Sequence, residues 1–183
     1  MPLDHLWATW RSVYVTGISD TRALDDADGR ASTDDGAVDE RSLFERILDA
    51  PGTDDDKQIV LRTERCFVIL NRYPYTSGHL MVLPLRAVAD LEDLDPGEFA
   101  EMWALVRDAV VALKAGLGCD AVNVGINLGA AAGGSQADHL HVHCVPRWVG
   151  DANFMSVAGE TRVLPVSLDE ARERVRAAWP AGG

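Results

Sequence analysis

GGSQADHLHVHCVPRW, Gly133 to Trp148, places three of the chain's five histidines at alternate positions: His139, His141 and His143. In an extended strand, residues i, i+2 and i+4 share a face, each step spanning about 7 Å at a rise of roughly 3.3–3.4 Å per residue. The spacing predicts three imidazoles on one face, with Leu140, Val142 and Cys144 turned the other way, toward a core. Three explanations compete for such a row: a metal site, a polar strand face with incidental histidines, and nucleophilic catalysis.

A His-x-His pair can share an ion at zinc–nitrogen distances of about 2.0–2.1 Å. The outer two histidines, however, would stand roughly 13 Å apart at the backbone, and no Cys-x-x-Cys supplies further ligands. A solvated face accounts readily for one histidine and less readily for three in strict alternation. A neutral imidazole can attack phosphorus and split one displacement into two easier ones. The loop just before, GAAAGGS (residues 129–135), can turn successive backbone N–H groups toward an anion. Donors aimed at charge developing on phosphorus are a large catalytic term. The segment suits phosphate chemistry.

Outward from this segment, the pattern alternates short strands with two capped helices. SLFERIL opens with Ser42 as N-cap and Glu45 three residues on, a capping box. QIVLRT and RCFVILN, joined near Glu64, read as a hairpin; Asn71 to Gly78 is a Pro/Gly-punctuated loop before a strand over His79–Pro84. DPGEFAEMWALVRDAVVALKAGLG predicts the main helix, capped by Asp95, with Pro96 in its first turn and Gly116 and Gly118 at its end. Phe99, Met102, Trp103, Val106, Val110 and Leu113 would share its buried face. AVNVGINLG predicts another strand, and a last helix starts at Ser167 with a second box to Glu170. The order gives an α+β domain, a largely antiparallel sheet backed by one long helix.

At 183 residues the chain suits one domain with a real core. A net charge of −12 argues against nonspecific nucleic acid or anionic membrane as partners. No apolar run reaches membrane-spanning length, and no leader peptide is recognisable. Three cysteines without close pairing (Cys66, Cys119, Cys144) fit a reducing cytoplasm. The aromatic residues 1–19 read as a docking arm, 20–41 as a solvated acidic linker, and 42–183 as the domain.

FVILNRYPYTSGHLMVLP, ADLEDL, NVGINLG and HLHVHCVPRWVGDANFM together resemble the bacterial branch of the histidine triad (HIT) family of nucleotide hydrolases and transferases. LDHLWATWRSVYV is similar to the N-terminal arm of its actinobacterial diadenosine tetraphosphate phosphorylases. The resemblance implies a HIT-like fold: a half-open antiparallel sheet of about five strands, one long helix, short terminal helices, and pairing as a homodimer. It makes His141 the nucleophile, with His139 and His143 orienting it, contacting phosphate and assisting the leaving group. Asn127, Gly134, Ser135 and Gln136 would hold the phosphate chain or leaving group, Asn71 the ribose, and His79 the pocket rim. Arg147, just past the triad, is a further candidate for phosphate, with a surface ion pair as its alternative.

The implied activity is nucleotidyl transfer from, or hydrolysis of, dinucleoside polyphosphates through a nucleotidyl-histidine. Its foremost form is phosphorolysis of diadenosine tetraphosphate to ADP and ATP, an ATP adenylyltransferase-like reaction. Alternatives are hydrolysis of nucleoside phosphoramidates or adenylyl sulfate, and a non-catalytic nucleotide-binding dimer. The expected partners are an adenine nucleotide and inorganic phosphate. No cofactor is expected to be held by the protein, magnesium entering only with the polyphosphate. Some family members hold a structural zinc; at the matching ligand positions this chain has Ser42, Glu45 and Ala87. With three of four ligands gone, zinc is not expected.

Overall fold

A computed structural model describes residues 41–133, 136–152 and 164–181. The docking arm, nearly all of the acidic linker, Gly134 and Ser135 lie outside the described residues. The described elements are α1 (Leu43–Asp49), β1 (Ile59–Arg62), β2 (Cys66–Leu70), β3 (Leu80–Pro84), α2 (Pro96–Leu117), β4 (Ala121–Ile126), β5 (Val142–Arg147) and α3 (Leu168–Ala177). They form one five-stranded sheet in the order β1-β2-β3-β5-β4, with antiparallel pairing throughout. This is the α+β arrangement expected from the sequence.

Every residue of β2 and of β3 is buried, which explains why their sequence is continuously apolar rather than alternating. Alternate side chains enter different cores. Cys66, Val68, Leu70, Leu80 and Val82 pack with Met102, Leu105, Ala109 and Leu113 of α2 and Ala171 and Val175 of α3. Phe67, Ile69, Met81 and Leu83 pack on the other face with Phe44 of α1. Each fully buried aliphatic side chain contributes roughly 1.5–3 kcal/mol relative to an exposed one. The sheet is thus covered on both faces where it passes beneath the histidine segment.

Helix α2 begins as predicted, with Asp95 accepting from Glu98 N, Glu98 returning to the Asp95 backbone, and Pro96 in the first turn. Its buried stripe is rotated from the expected one. Phe99 and Trp103 are exposed and lie against each other on the outer side, ring centroids 6.2 Å apart. Ala109 and Ala112 are fully buried instead, because small residues let the helix approach the sheet. The helix ends at Gly118, whose φ of 63° is the left-handed cap geometry glycine favours. Gly116 does not end it: a Cβ there would lie 2.6 Å from Arg174 O, so this glycine allows α3 to cross α2 closely.

Ser167 caps α3 as expected by accepting from Glu170 N, but the Glu170 side chain pairs with Arg174 rather than completing a box. From α3, Arg176 donates to Ile59 O at 2.6 Å and Val60 O at 3.1 Å, covering backbone on the β1 edge of the sheet. Among the described residues no strand pairs with the outer side of β4, the opposite edge, where Val124 is 41% exposed.

Candidate active site

Strand β5 begins only at Val142, so His139 and His141 stand in an irregular stretch ahead of it and His143 alone lies within the strand. The three rings still lie on the expected face, among Phe44, Phe67 and Met81, although the backbone that carries the first two is not yet strand. Leu140, Val142 and Cys144 do enter the core, as predicted. The three imidazoles separate, each ring held by a different element.

His139 is fully buried, packed edge-on against Phe44 with ring centroids 5.4 Å apart. Its Nε2 lies 2.9 Å from Pro84 O at the end of β3, and its Nδ1 2.8 Å from Ser42 Oγ at the start of α1. His141 sets Nδ1 2.8 Å from the carbonyl oxygen of His139 and lies 5.8 Å from the Phe44 ring. His143 is half-buried, with Nδ1 3.0 Å from His79 Nε2; its ring stands nearly perpendicular to His141, centroids 4.8 Å apart. His79, fully buried just before β3, accepts at Nδ1 from Tyr75 N at 3.2 Å, and the Tyr75 ring lies 4.6 Å from its own.

These partners assign the tautomers. A carbonyl oxygen only accepts and an amide N–H only donates. His139 therefore carries its proton on Nε2 and takes the Ser42 hydroxyl hydrogen at Nδ1. His141 carries its proton on Nδ1, which leaves the Nε2 lone pair bare. His79 is bare at Nδ1, donates from Nε2 to His143 Nδ1, and so leaves His143 with an Nε2–H.

Burial keeps all four rings neutral. It pushes His79 down to about 3, helped by repulsion from His143 and His141, and His143 down to about 4, helped by His141. Burial also lowers His141 and His139, opposed in each by a backbone carbonyl that accepts from the ring. A neutral imidazole with a bare Nε2, as His141 has here, can act as a nucleophile, and His143 supplies an N–H donor beside it.

The other sequence candidates divide. Asn71 adjoins the site: its N–H bonds to His79 O at 2.8 Å and its side-chain oxygen accepts from Tyr73 N at 2.9 Å, shaping the loop that ends at His79. Asn127 follows Ile126, the last residue of β4, whose partner Val142 directly follows His141. Gln136 is half-buried in the loop entering His139. Arg147 does not join them. It pairs with Asp151 at 2.6 Å and Asn123 at 2.9 Å, four residues past His143 and roughly 13 Å along the strand. The ion-pair alternative describes its contacts here.

Three neighbours adjoin the rings. Phe44 walls His139 and His141, Tyr75 covers His79, and Ser42 reaches His139 across 97 residues of sequence. Only Tyr75 carried a local signal, an aromatic four residues before His79.

Where the resemblance would put zinc, hydrogen bonds join the chain. Glu45 Oε1 accepts from Ala87 N and Oε2 from Ser42 N, each at 3.0 Å. Burial would raise this carboxyl, yet these backbone donors outweigh it and hold it below the usual range. A hydroxyl, a carboxylate held by two backbone N–H groups and an alanine do not form a zinc donor set.

Comparison with known proteins agrees with this geometry. Over 127 residues the chain is 45% identical to the AP-4-A phosphorylase of Mycobacterium tuberculosis, covering 69% of this chain and 65% of that protein, just under two thirds of its length. It is 35% identical over 94 residues to the asymmetrical bis(5'-nucleosyl)-tetraphosphatase of Schizosaccharomyces pombe, about half of each chain (51% and 51%). A zinc-bound histidine triad protein from Mycobacterium smegmatis superposes with a TM-score of 0.61 at 31% identity, over 76% of this chain and 92% of that one. The family model of the HIT domain matches residues 53–149, and the chain belongs to the histidine triad family.

Proposed function

We propose that the chain cleaves dinucleoside polyphosphates by nucleotidyl transfer through His141, with diadenosine tetraphosphate as substrate and inorganic phosphate as acceptor. The observation that carries this reading is the bond from His141 Nδ1–H to the His139 carbonyl, which leaves Nε2 as an aimed lone pair. Nε2 attacks the α-phosphorus, the P–O bond to the departing nucleoside triphosphate breaks, and an adenylyl–His141 forms. His143 Nε2–H donates to the oxygens on which charge accumulates. A phosphate oxygen then attacks the same phosphorus; the P–N bond breaks, ADP leaves and the neutral imidazole returns. Magnesium, where the polyphosphate needs a counter-ion, enters with the substrate.

The similarity to an AP-4-A phosphorylase and a tetraphosphatase supports this substrate class. The same chemistry with water as acceptor would give AMP and ATP. The full-length chain would be incubated with diadenosine tetraphosphate with and without phosphate, and its nucleotides separated. ADP and ATP formed only with phosphate is the expected result. AMP and ATP regardless of phosphate would make the chain a hydrolase, and unchanged substrate would remove the dinucleotide reading.

We further infer a homodimer. The open β4 edge, with Val124 exposed, and the outer Phe99–Trp103 pair on α2 are apolar surfaces that a second copy would cover. Sedimentation equilibrium showing a monomer at micromolar concentration would refute it.

A further inference from the structure

We propose that Ser42 is a positioning residue for His141, acting through His139 as a strut between α1 and β3; this rests on the reading of His141 as the nucleophile. Both ring nitrogens of His139 are engaged, Nε2 with Pro84 O at 2.9 Å and Nδ1 with Ser42 Oγ at 2.8 Å. The ring is fully buried, wedged edge-on between Phe44 and Phe67. No ring nitrogen of His139 remains to touch a phosphate or protonate a leaving group. Its contribution is its carbonyl, which holds His141 Nδ1–H at 2.8 Å.

That carbonyl belongs to a segment the sheet does not hold, because the β5 ladder starts at Val142. The backbone bond from Leu140 N to Val88 O and the His139 ring are its anchors. Ser42 gives the ring anchor its direction. His139 Nε2–H donates to Pro84 O, so its Nδ1 accepts the Ser42 hydroxyl hydrogen, while the Ser42 oxygen accepts from Glu45 N at 3.1 Å. Without it the ring could turn over, exchange tautomers and release the carbonyl that aims the nucleophile.

Two variants separate this role from helix capping. Ser42→Gly removes the hydroxyl while glycine remains a tolerated N-cap, and Ser42→Thr keeps the hydroxyl. In Ser42→Gly, adenylyl–His141 formation and kcat should fall roughly ten- to a hundredfold with KM little changed, the size expected for a misaimed nucleophile. Nitrogen NMR of the histidine rings should show His139 Nδ1 losing its hydrogen-bonded shift, and Ser42→Thr should restore both readouts. Wild-type kcat in a folded Ser42→Gly chain, unchanged His139 ring signals, or a loss appearing only in KM would each overturn the proposal. A wild-type chain that forms no adenylyl adduct would instead overturn the nucleophile reading, and the ring signals would still decide the Ser42–His139 bond.

Discussion

Among the described residues two helices open on complete capping boxes, Ser42–Glu45 and Asp95–Glu98, and the same four-residue device does different work in each place. At α2 the box serves the helix and one ion pair: Glu98 returns to Asp95 N and takes a two-pronged bond from Arg86, at 2.6 and 2.7 Å. At α1 every remaining valence points inward. Ser42 reaches His139, and Glu45 reaches Ala87 N beside the end of β3. A helix start becomes part of an active site when its cap has a hydroxyl, which can accept from the helix and donate elsewhere at once. The Asp95 carboxylate can only accept.

The nucleophile that the Ser42 box serves can be removed outright. His141→Asn should leave the fold intact and lower turnover at least about a thousandfold, since no other bare imidazole nitrogen replaces Nε2. Circular dichroism and single-turnover rates would check both halves. At the other box, Asp95→Ala should cost about 1 kcal/mol of stability. That corresponds to a melting shift of roughly 2–4 °C for a chain of this size, with kcat unchanged. A fall in kcat there would end the distinction between the boxes.

Acid should separate the histidine site from the α2 box by pH, the smallest of these effects near neutrality. Folded His79 and His143 titrate near 3 and 4, whereas an unfolded histidine titrates near 6.5. Between those values the unfolded chain binds more protons, so stability is full above about pH 6.5 and declines as pH falls toward 4. Glu98, held below the usual range chiefly by Arg86, and Asp95, held there chiefly by Glu98 N, lose their contribution only at lower pH, below the ordinary carboxyl values. Thermal melts from pH 8 to 3 should show the first loss in the histidine window. Replacing His79 by Gln should flatten that window without altering the later one.

Much of this was legible in the sequence because it is local. The boxes, Pro96, Gly118, the hairpin and the apolar runs of β2 and β3 each lie within a few residues of their cause. The triad's spacing singled out the three histidines, and the family pattern gave them the roles proposed above. Convergence was not legible. The alternation of His139, His141 and His143 implied a strand, but the backbone becomes a strand only at Val142, and the partners that hold each ring come from other elements. Ser42 meets His139 across 97 residues, a contact no period encodes. Arg147 looked available until Asp151, four residues on, was seen to engage it. On α2, bulk misled: Phe99 and Trp103 are large but outward, while alanines take the close approach.

The central claim is that His141 Nε2 becomes covalently nucleotidylated. The direct measurement is intact-protein mass spectrometry after rapid mixing with diadenosine tetraphosphate, with phosphate omitted, followed by mapping of the adduct under conditions that preserve a P–N bond. One adenylyl group per chain, located on His141 and lost on adding phosphate, is the predicted result. Turnover with no adduct at His141, or an adduct that persists in His141→Asn, would contradict it.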